Sequence, residues 1–220
     1  MKIGVLFSGG KDSTYAAFLA KKEGYEISCL ISIFSDNKDS FMFHTSAINL
    51  VEKQAKLMNV PIVVRKTKGK KEEELADLKA AIKESIQNFR IEGIVTGAVE
   101  SVYQSSRIQK ICNDFKIECF NPLWQKDQFE ILKELLDSNF RVIISAVAAY
   151  PFDKSWVGKE IDEKTIVELK KIYERFRINP AGEGGEFESL VLNCPFFRKE
   201  LKVKLKEVVG EGNSWRGIFE

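Results

Sequence analysis

The sequence predicts an α/β protein, a parallel doubly wound sheet followed by a smaller α+β C-terminal lobe. Three observations carry this expectation. Short apolar runs alternate with helical patterns over the first 121 residues, the signature of strand-helix-strand units. A glycine turn, Ser8 to Ser13, joins the first apolar run directly to a helix former. The alternation then stops at Asn121-Pro122, which divides the chain into candidate domains 1–121 and 122–220.

Strands are expected at 3–7, 27–34, 60–64, 92–97 and 117–120, and helices at 13–23, 44–58, 71–90 and 102–115. The third helix shows one apolar face in Leu75, Leu78, Ile82, Ile86 and Phe89, so the charged tract Lys68 to Glu74 reads as its solvated start. In the fourth, Ile108, Ile111, Cys112 and Phe115 share a face, which makes Cys112 a core residue. Beyond Pro122 a helix is expected at 127–138, then a continuous apolar strand from Val142 to Ala148. A helix at 162–177 with Ile166, Leu169, Tyr173 and Phe176 on one face follows, and strand-like segments run to the end.

The segment Ser8-Gly9-Gly10-Lys11-Asp12-Ser13 has the makings of a phosphate site. Two glycines let the backbone approach a ligand closely, and a helix N-terminus favours an anion. Lys11 adds a positive charge, and the hydroxyls of Ser8 and Ser13 are potential donors. Asp12 beside a phosphate is repelled unless a divalent cation intervenes, which hints at Mg2+. The pattern is neither GxxxxGK[ST] nor GxGxxG, since Val5 and Asp12 break the first. The plain alternative is a strand-turn-helix junction capped by Asp12 or Ser13. In a doubly wound sheet the ends of strands 1, 2 and 4, at Ser8, Ser32 to Ser35 and Thr96-Gly97, should converge on one ligand.

A second unusual stretch is Gly182-Glu183-Gly184-Gly185-Glu186. A strand starting at Glu186 would put Glu186, Glu188, Leu190 and Leu192 on one face, with the two carboxylates over the rim of a core. The alternative is an exposed hairpin turn with solvated acids.

Composition narrows the function classes. Lys plus Arg total 34 against 32 for Asp plus Glu, a net charge of +2, which leaves no footprint for bulk nucleic-acid binding. No apolar run approaches a membrane span, and the first residues hold no signal-peptide core, so a cytoplasmic location is expected. Cys29, Cys112, Cys119 and Cys194 form no CxxC pair and are expected to be reduced. A single histidine, His44, leaves no material for His-dependent zinc sites or triads.

SGGKDS at the end of the first strand resembles the PP-loop ATP pyrophosphatases. The resemblance implies an adenine nucleotide alpha hydrolase-like sheet that cuts ATP between the α and β phosphates. GEGGEFES, Phe43-His44, Gly97-Ala98 followed by Ser101, Tyr103, Gln104 and Arg107, and Pro122-Leu123-Trp124 are together similar to the branch containing diphthine-ammonia ligase. That branch usually has Tyr-Glu-Thr where this chain has Phe187-Glu188-Ser189.

The resemblance implies ATP-dependent amidation, by free ammonia, of a diphthine carboxylate on elongation factor 2, through an acyl adenylate. It assigns ATP to Ser8, Gly9, Gly10, Lys11, Asp12, Ser13, Ser32 and Gly97, and Mg2+ to Asp12. Acceptor contacts fall to His44, Tyr103, Gln104, Arg107 and Glu188. Glu186, with Glu183 second, is the expected base for ammonium, and Lys11 assists the leaving group. Glu188, Tyr103 or Trp156 would attract the trimethylammonium group, although Trp156 also reads as core. A homodimer is left open. The rivals are a PP-loop enzyme acting on transfer RNA, weakened by the lack of a CxxC pair, and a non-catalytic ATP-binding module.

Overall fold

The computed structural model describes residues 1–35, 48–67 and 71–220. The chain divides into two compact units, Met1–Trp124 and Gln125–Glu220. In the first, five parallel strands lie in the order β3-β2-β1-β4-β5: β1 (Lys2–Leu6), β2 (Glu26–Ser35), β3 (Ile62–Thr67), β4 (Gly93–Val95) and β5 (Glu118–Phe120). Helices α1 (Lys11–Lys22), α2 (Ile48–Met58), α3 (Lys71–Phe89) and α4 (Val102–Phe115) connect them.

The strand order fixes the layering. The chain moves outward from β1 to β3, then crosses back to β4 and continues to β5. Right-handed crossovers therefore put α1 and α2 on one face and α3 and α4 on the other. The second layer is visible as one cluster: Cys29, Ile31, Ile33, Val63 and Ile94 of the sheet pack with Leu78, Ala81 and Ile82 of α3 and Ile108, Ile111 and Cys112 of α4. Gly4 faces that layer, since a Cβ there would lie 3.0 Å from Ile91 and 3.2 Å from Ile31. By alternation Ile3 and Val5 point the other way; both are fully buried, and α1, packed on β1, β2 and β4, buries Ala16, Ala17 and Ala20.

The expected elements are all present, with shifted ends. β3 begins at Ile62 rather than 60 and runs into Arg65 and Lys66, because Pro61 has no N–H and supplies only its carbonyl, to Leu30. α1 begins at Lys11 with Gly10 as its N-cap and no side-chain cap, so neither Asp12 nor Ser13 caps it. The first four residues of the helix expected at 44–58 lie outside the described residues.

The second unit pairs α5 (Gln128–Asp137) and α6 (Glu163–Phe176) with a four-stranded antiparallel sheet, β7-β6-β9-β8. Its strands are β6 (Arg141–Val147), β7 (Phe187–Asn193), β8 (Leu205–Glu211) and β9 (Ser214–Phe219). Asp127 and Asp162 cap the two helices by accepting from Glu130 and Thr165 N–H groups. Phe152 is buried edge-on against Trp156, centroids 4.9 Å apart, and against Phe187, so Trp156 is the core residue its sequence context allowed. All four cysteines are free, and burial pushes the Cys29 thiol up to about 11. Cys112 and Cys119 share a hydrogen bond that raises the first and lowers the second. Among the described residues no helix is long and apolar enough to cross a membrane.

Leu78 is fully buried in the α3 layer. Leu78→Ala should lower unfolding free energy by about 2–5 kcal/mol, read as a drop in the denaturant midpoint; a change within error would mean that α3 does not carry this core.

Candidate functional site

The strand order reverses between β1 and β4, and the carboxyl ends of these strands are where a ligand site forms in such a sheet. The chain leaves β1 through Phe7 and turns at Gly9, whose φ of 79° lies in the left-handed region. A Cβ there would sit 2.3 Å from Gln54 Oε1 and 3.2 Å from Val51. Gln54 is a buried polar residue on α2, and its Nε2 donates to the Gly9 carbonyl at 3.0 Å. The loop is thus held from outside by a helix 45 residues downstream.

The loop also braces itself. Ser13 Oγ donates to Gly10 O at 3.2 Å and accepts from Ser8 N at 3.2 Å, while the Ser8 and Ser13 hydroxyls are 3.1 Å apart. Thr14 closes the turn with a 2.8 Å bond to the same carbonyl. Ser13 is buried at the base of the turn, whereas Ser8 is exposed and stays in reach of a ligand. Ser32 is buried, its hydroxyl donating to Phe7 O, which fastens β2 to the end of β1.

Gly97 has a structural task as well. A Cβ would fall 2.6 Å from both Asp12 C and Ser13 N, so the backbone after β4 lies flush against the first turn of α1. Thr96 anchors that segment: its N–H donates to Phe120 O, and its hydroxyl bonds Asn121 Oδ1 and accepts from Ala98 N. The early N–H groups of α1 are therefore fixed in direction, and a helix start has no intrahelical acceptor for them. Lys11 lies beside them with only 3% of its side chain exposed, its ammonium 2.7 and 2.9 Å from the two Asp12 oxygens. The Asp12 side chain is 24% exposed, so the pair opens to solvent on the carboxylate side.

On α4, Ser101 accepts from Gln104 N as N-cap. The Arg107 guanidinium lies 3.4 Å from the Tyr103 ring centroid and donates to Tyr103 O. That stack occupies one face of the ring with a cation already, which counts against Tyr103 as a receptor for a second one. His44 lies outside the described residues.

In the second unit the glycine loop is wound around its own carboxylate. The expected strand start at Glu186 is corrected to Phe187, and Glu186 turns inward, 8% exposed. Its Oε1 accepts from Asn179 N at 2.7 Å and Asn179 Nδ2 at 2.8 Å, and its Oε2 accepts from Gly184 N at 2.8 Å. A Cβ at Gly184 would lie 2.5 Å from Asn179 Nδ2 and 2.7 Å from Glu186 Oε1, so a larger residue there would displace the side chains of this hydrogen-bonded ring. Leu190 and Leu192 are buried, and so is Val191 between them, so β7 is covered on both faces, with a bulge in β6 opposite Glu188 and Ser189. Glu183 and Glu188 are half-buried. Among the described residues no cluster of three or more metal-ligating side chains exists.

Three polar residues that sequence reasoning passed over shape these loops: Gln54, Gln128 and Asn179. Only Gln54 carried a signal, a lone amide on the apolar face of Leu50, Val51, Ala55 and Met58. For Gly97→Ala we expect a loss of about 1–3 kcal/mol in unfolding free energy of the N-terminal unit, seen by urea titration. A neutral result would mean the loop is free to move away from β4.

Comparison with known proteins places both units. Residues 1–118 match the diphthamide synthase N-terminal domain, and residues 127–219 match the diphthamide synthase C-terminal domain. The chain is 32% identical to the diphthine-ammonia ligase of Bos taurus and 31% identical to that of Homo sapiens, in each case over 95% of this chain and 85% of the relative. The Schizosaccharomyces pombe protein of the same name is 32% identical over 95% of this chain and 37% of its own length. With its glycine cradle at the β1/β4 reversal and both family domains matched in order, the chain belongs to the diphthamide synthase family.

Proposed function

We propose that the chain is a ligase that amidates the carboxylate of diphthine with ammonia, consuming ATP and releasing AMP and pyrophosphate. The observation that carries this reading is the rigid cradle of α1 N–H groups and the Lys11 ammonium after β1. Supporting it are relatives named diphthine-ammonia ligase over nearly the whole chain.

The chemistry runs in two steps. A substrate carboxylate oxygen attacks the α-phosphorus of ATP, the bond to the bridging oxygen breaks, and pyrophosphate leaves with the electron pair. Ammonia then attacks the acyl carbon of the adenylate, AMP departs, and one proton is lost. Lys11 and the N–H donors of α1 take up charge on the departing pyrophosphate, where fixed donors act most strongly. A triphosphate competes with Asp12 for the Lys11 ammonium, so the ion pair is the resting arrangement of the cradle.

Asp12 suits Mg2+, which binds through one or two carboxylates together with phosphate oxygens and water. Asp12 would hold the ion, which when bound neutralises phosphate charge. The base that deprotonates ammonium is assigned to Glu183, half-buried in the same loop, with Glu186 shaping that loop through three N–H donors. Glu188 is assigned to the trimethylammonium group, and Gln104, Arg107 and His44 to the acceptor. The acceptor protein is elongation factor 2.

Incubated with ATP, ammonium and diphthine-bearing elongation factor 2, the protein should yield AMP, pyrophosphate and the amide. ADP and phosphate as products would refute the reading. Lys11→Ala should reduce turnover by about 100-fold or more while thermal unfolding stays cooperative; wild-type turnover in that variant would remove Lys11 from the reaction.

A further inference from the structure

Gln128 opens α5 with only 7% of its surface exposed, yet the helix does not need it as a cap, since Asp127 fills that role. Its amide reaches across the sequence instead. Nε2 donates to Asn179 Oδ1 at 3.1 Å, and Oε1 accepts from Ala181 N at 3.0 Å. Asn179 passes the chain onward through Nδ2 to Glu186 Oε1.

The donors and acceptors admit one assignment. Ala181 N–H can only donate, so Gln128 turns its oxygen to it and its NH2 to Asn179 Oδ1. The Asn179 NH2 then meets a carboxylate, which can only accept. The relay therefore ends on both sides of the glycine segment, at Ala181 before it and at Glu186 after it. Between these ends Gly184 and Gly185 are exposed, so the segment buries no apolar side chain that would account for such an anchor. Ordering an exposed glycine tip is costly in chain entropy, and a buried polar relay spent on it points to a demand on the tip itself.

We infer that Gln128 and Asn179 are positioning residues, which act through Glu186 to hold residues 182–185, and Glu183 among them, in one conformation for the acceptor step. The inference rests on the amidation reading for its catalytic part, whereas the relay can be measured without ATP.

Gln128→Met keeps the length of the side chain and removes both hydrogen-bonding groups. Amide hydrogen exchange at Ala181 and Gly184 should accelerate about tenfold or more in this variant, while β6 amides keep their wild-type rates. In the ligase assay kcat should fall about tenfold with ATP affinity changed by less than about twofold, the split expected of a lost positioning contact. The double variant Gln128→Met/Glu186→Gln should be no worse than Glu186→Gln alone, because residues in one network are not additive. Gln128→Glu keeps the acceptor for Ala181 but sets a second acceptor against Asn179 Oδ1. It should show the same pattern and serves where the Met variant does not fold. Unchanged exchange at Gly184, or additive losses in the double variant, would overturn the inference. A wild-type protein that forms no amide would instead sink the reaction reading, and exchange at Gly184 would still decide the relay.

Discussion

The N-terminal unit depends on one steric constraint, the absence of a side chain at Gly97. Its backbone lies where a Cβ would be 2.6 Å from the Asp12 carbonyl carbon and the Ser13 nitrogen. That approach fixes the start of α1 relative to β4 at the point where strand order reverses. The loop before α1 is then braced from three sides, by Ser13 on Gly10 within the first turn, by Ser32 of β2 on Phe7, and by Gln54 of α2 on Gly9 O. A bulkier residue at 97 would push the first turn of α1 away from β4.

The Lys11–Asp12 pair is a consequence of the same geometry. Both groups belong to the first turn of α1, where the helix dipole favours the carboxylate and opposes the ammonium. An ammonium held there with 3% exposure has lost most of its water and relies on the adjacent carboxylate. A phosphate is a richer partner, because it brings several acceptors to a place that already presents N–H donors. The ion pair thus steadies the ammonium beside those N–H donors.

The sequence made the first loop legible because its chemistry is contiguous: strand, two glycines, Lys11 and a helix fall within a dozen residues. The layers were legible for the same reason, since α3 and α4 show their buried faces at spacings of three and four. What was hidden lies at long sequence separation. Ser32 sits on a strand end, as expected, but only the parallel register of β1 and β2 turns its hydroxyl onto Phe7. The fold of Glu186 was not legible because the period-two argument includes it in the strand, whereas β7 starts one residue later and the Glu186 carboxylate turns back onto Asn179 and Gly184. No periodicity announces a carboxylate that folds back onto its own loop.

The two glycine loops solve different problems. In the first, Gly9 and Gly97 are needed because foreign groups, Gln54 and the backbone of Asp12 and Ser13, come too close for a side chain. In the second, Gly182 clears the carbonyl of Phe187 and Gly184 clears the Asn179 amide and the Glu186 carboxylate, groups from the same stretch of chain. The first loop is thus moulded by its surroundings and presents fixed N–H donors, the property an anion site requires. The second is moulded around Glu186, with two oxygens receiving three donors. A Glu186→Gln side chain would keep one acceptor oxygen and set an NH2 group against either Gly184 N or the Asn179 donors, so the loop could not close on both sides at once. An acidic residue indispensable to the shape of a site need not be the one that handles its proton.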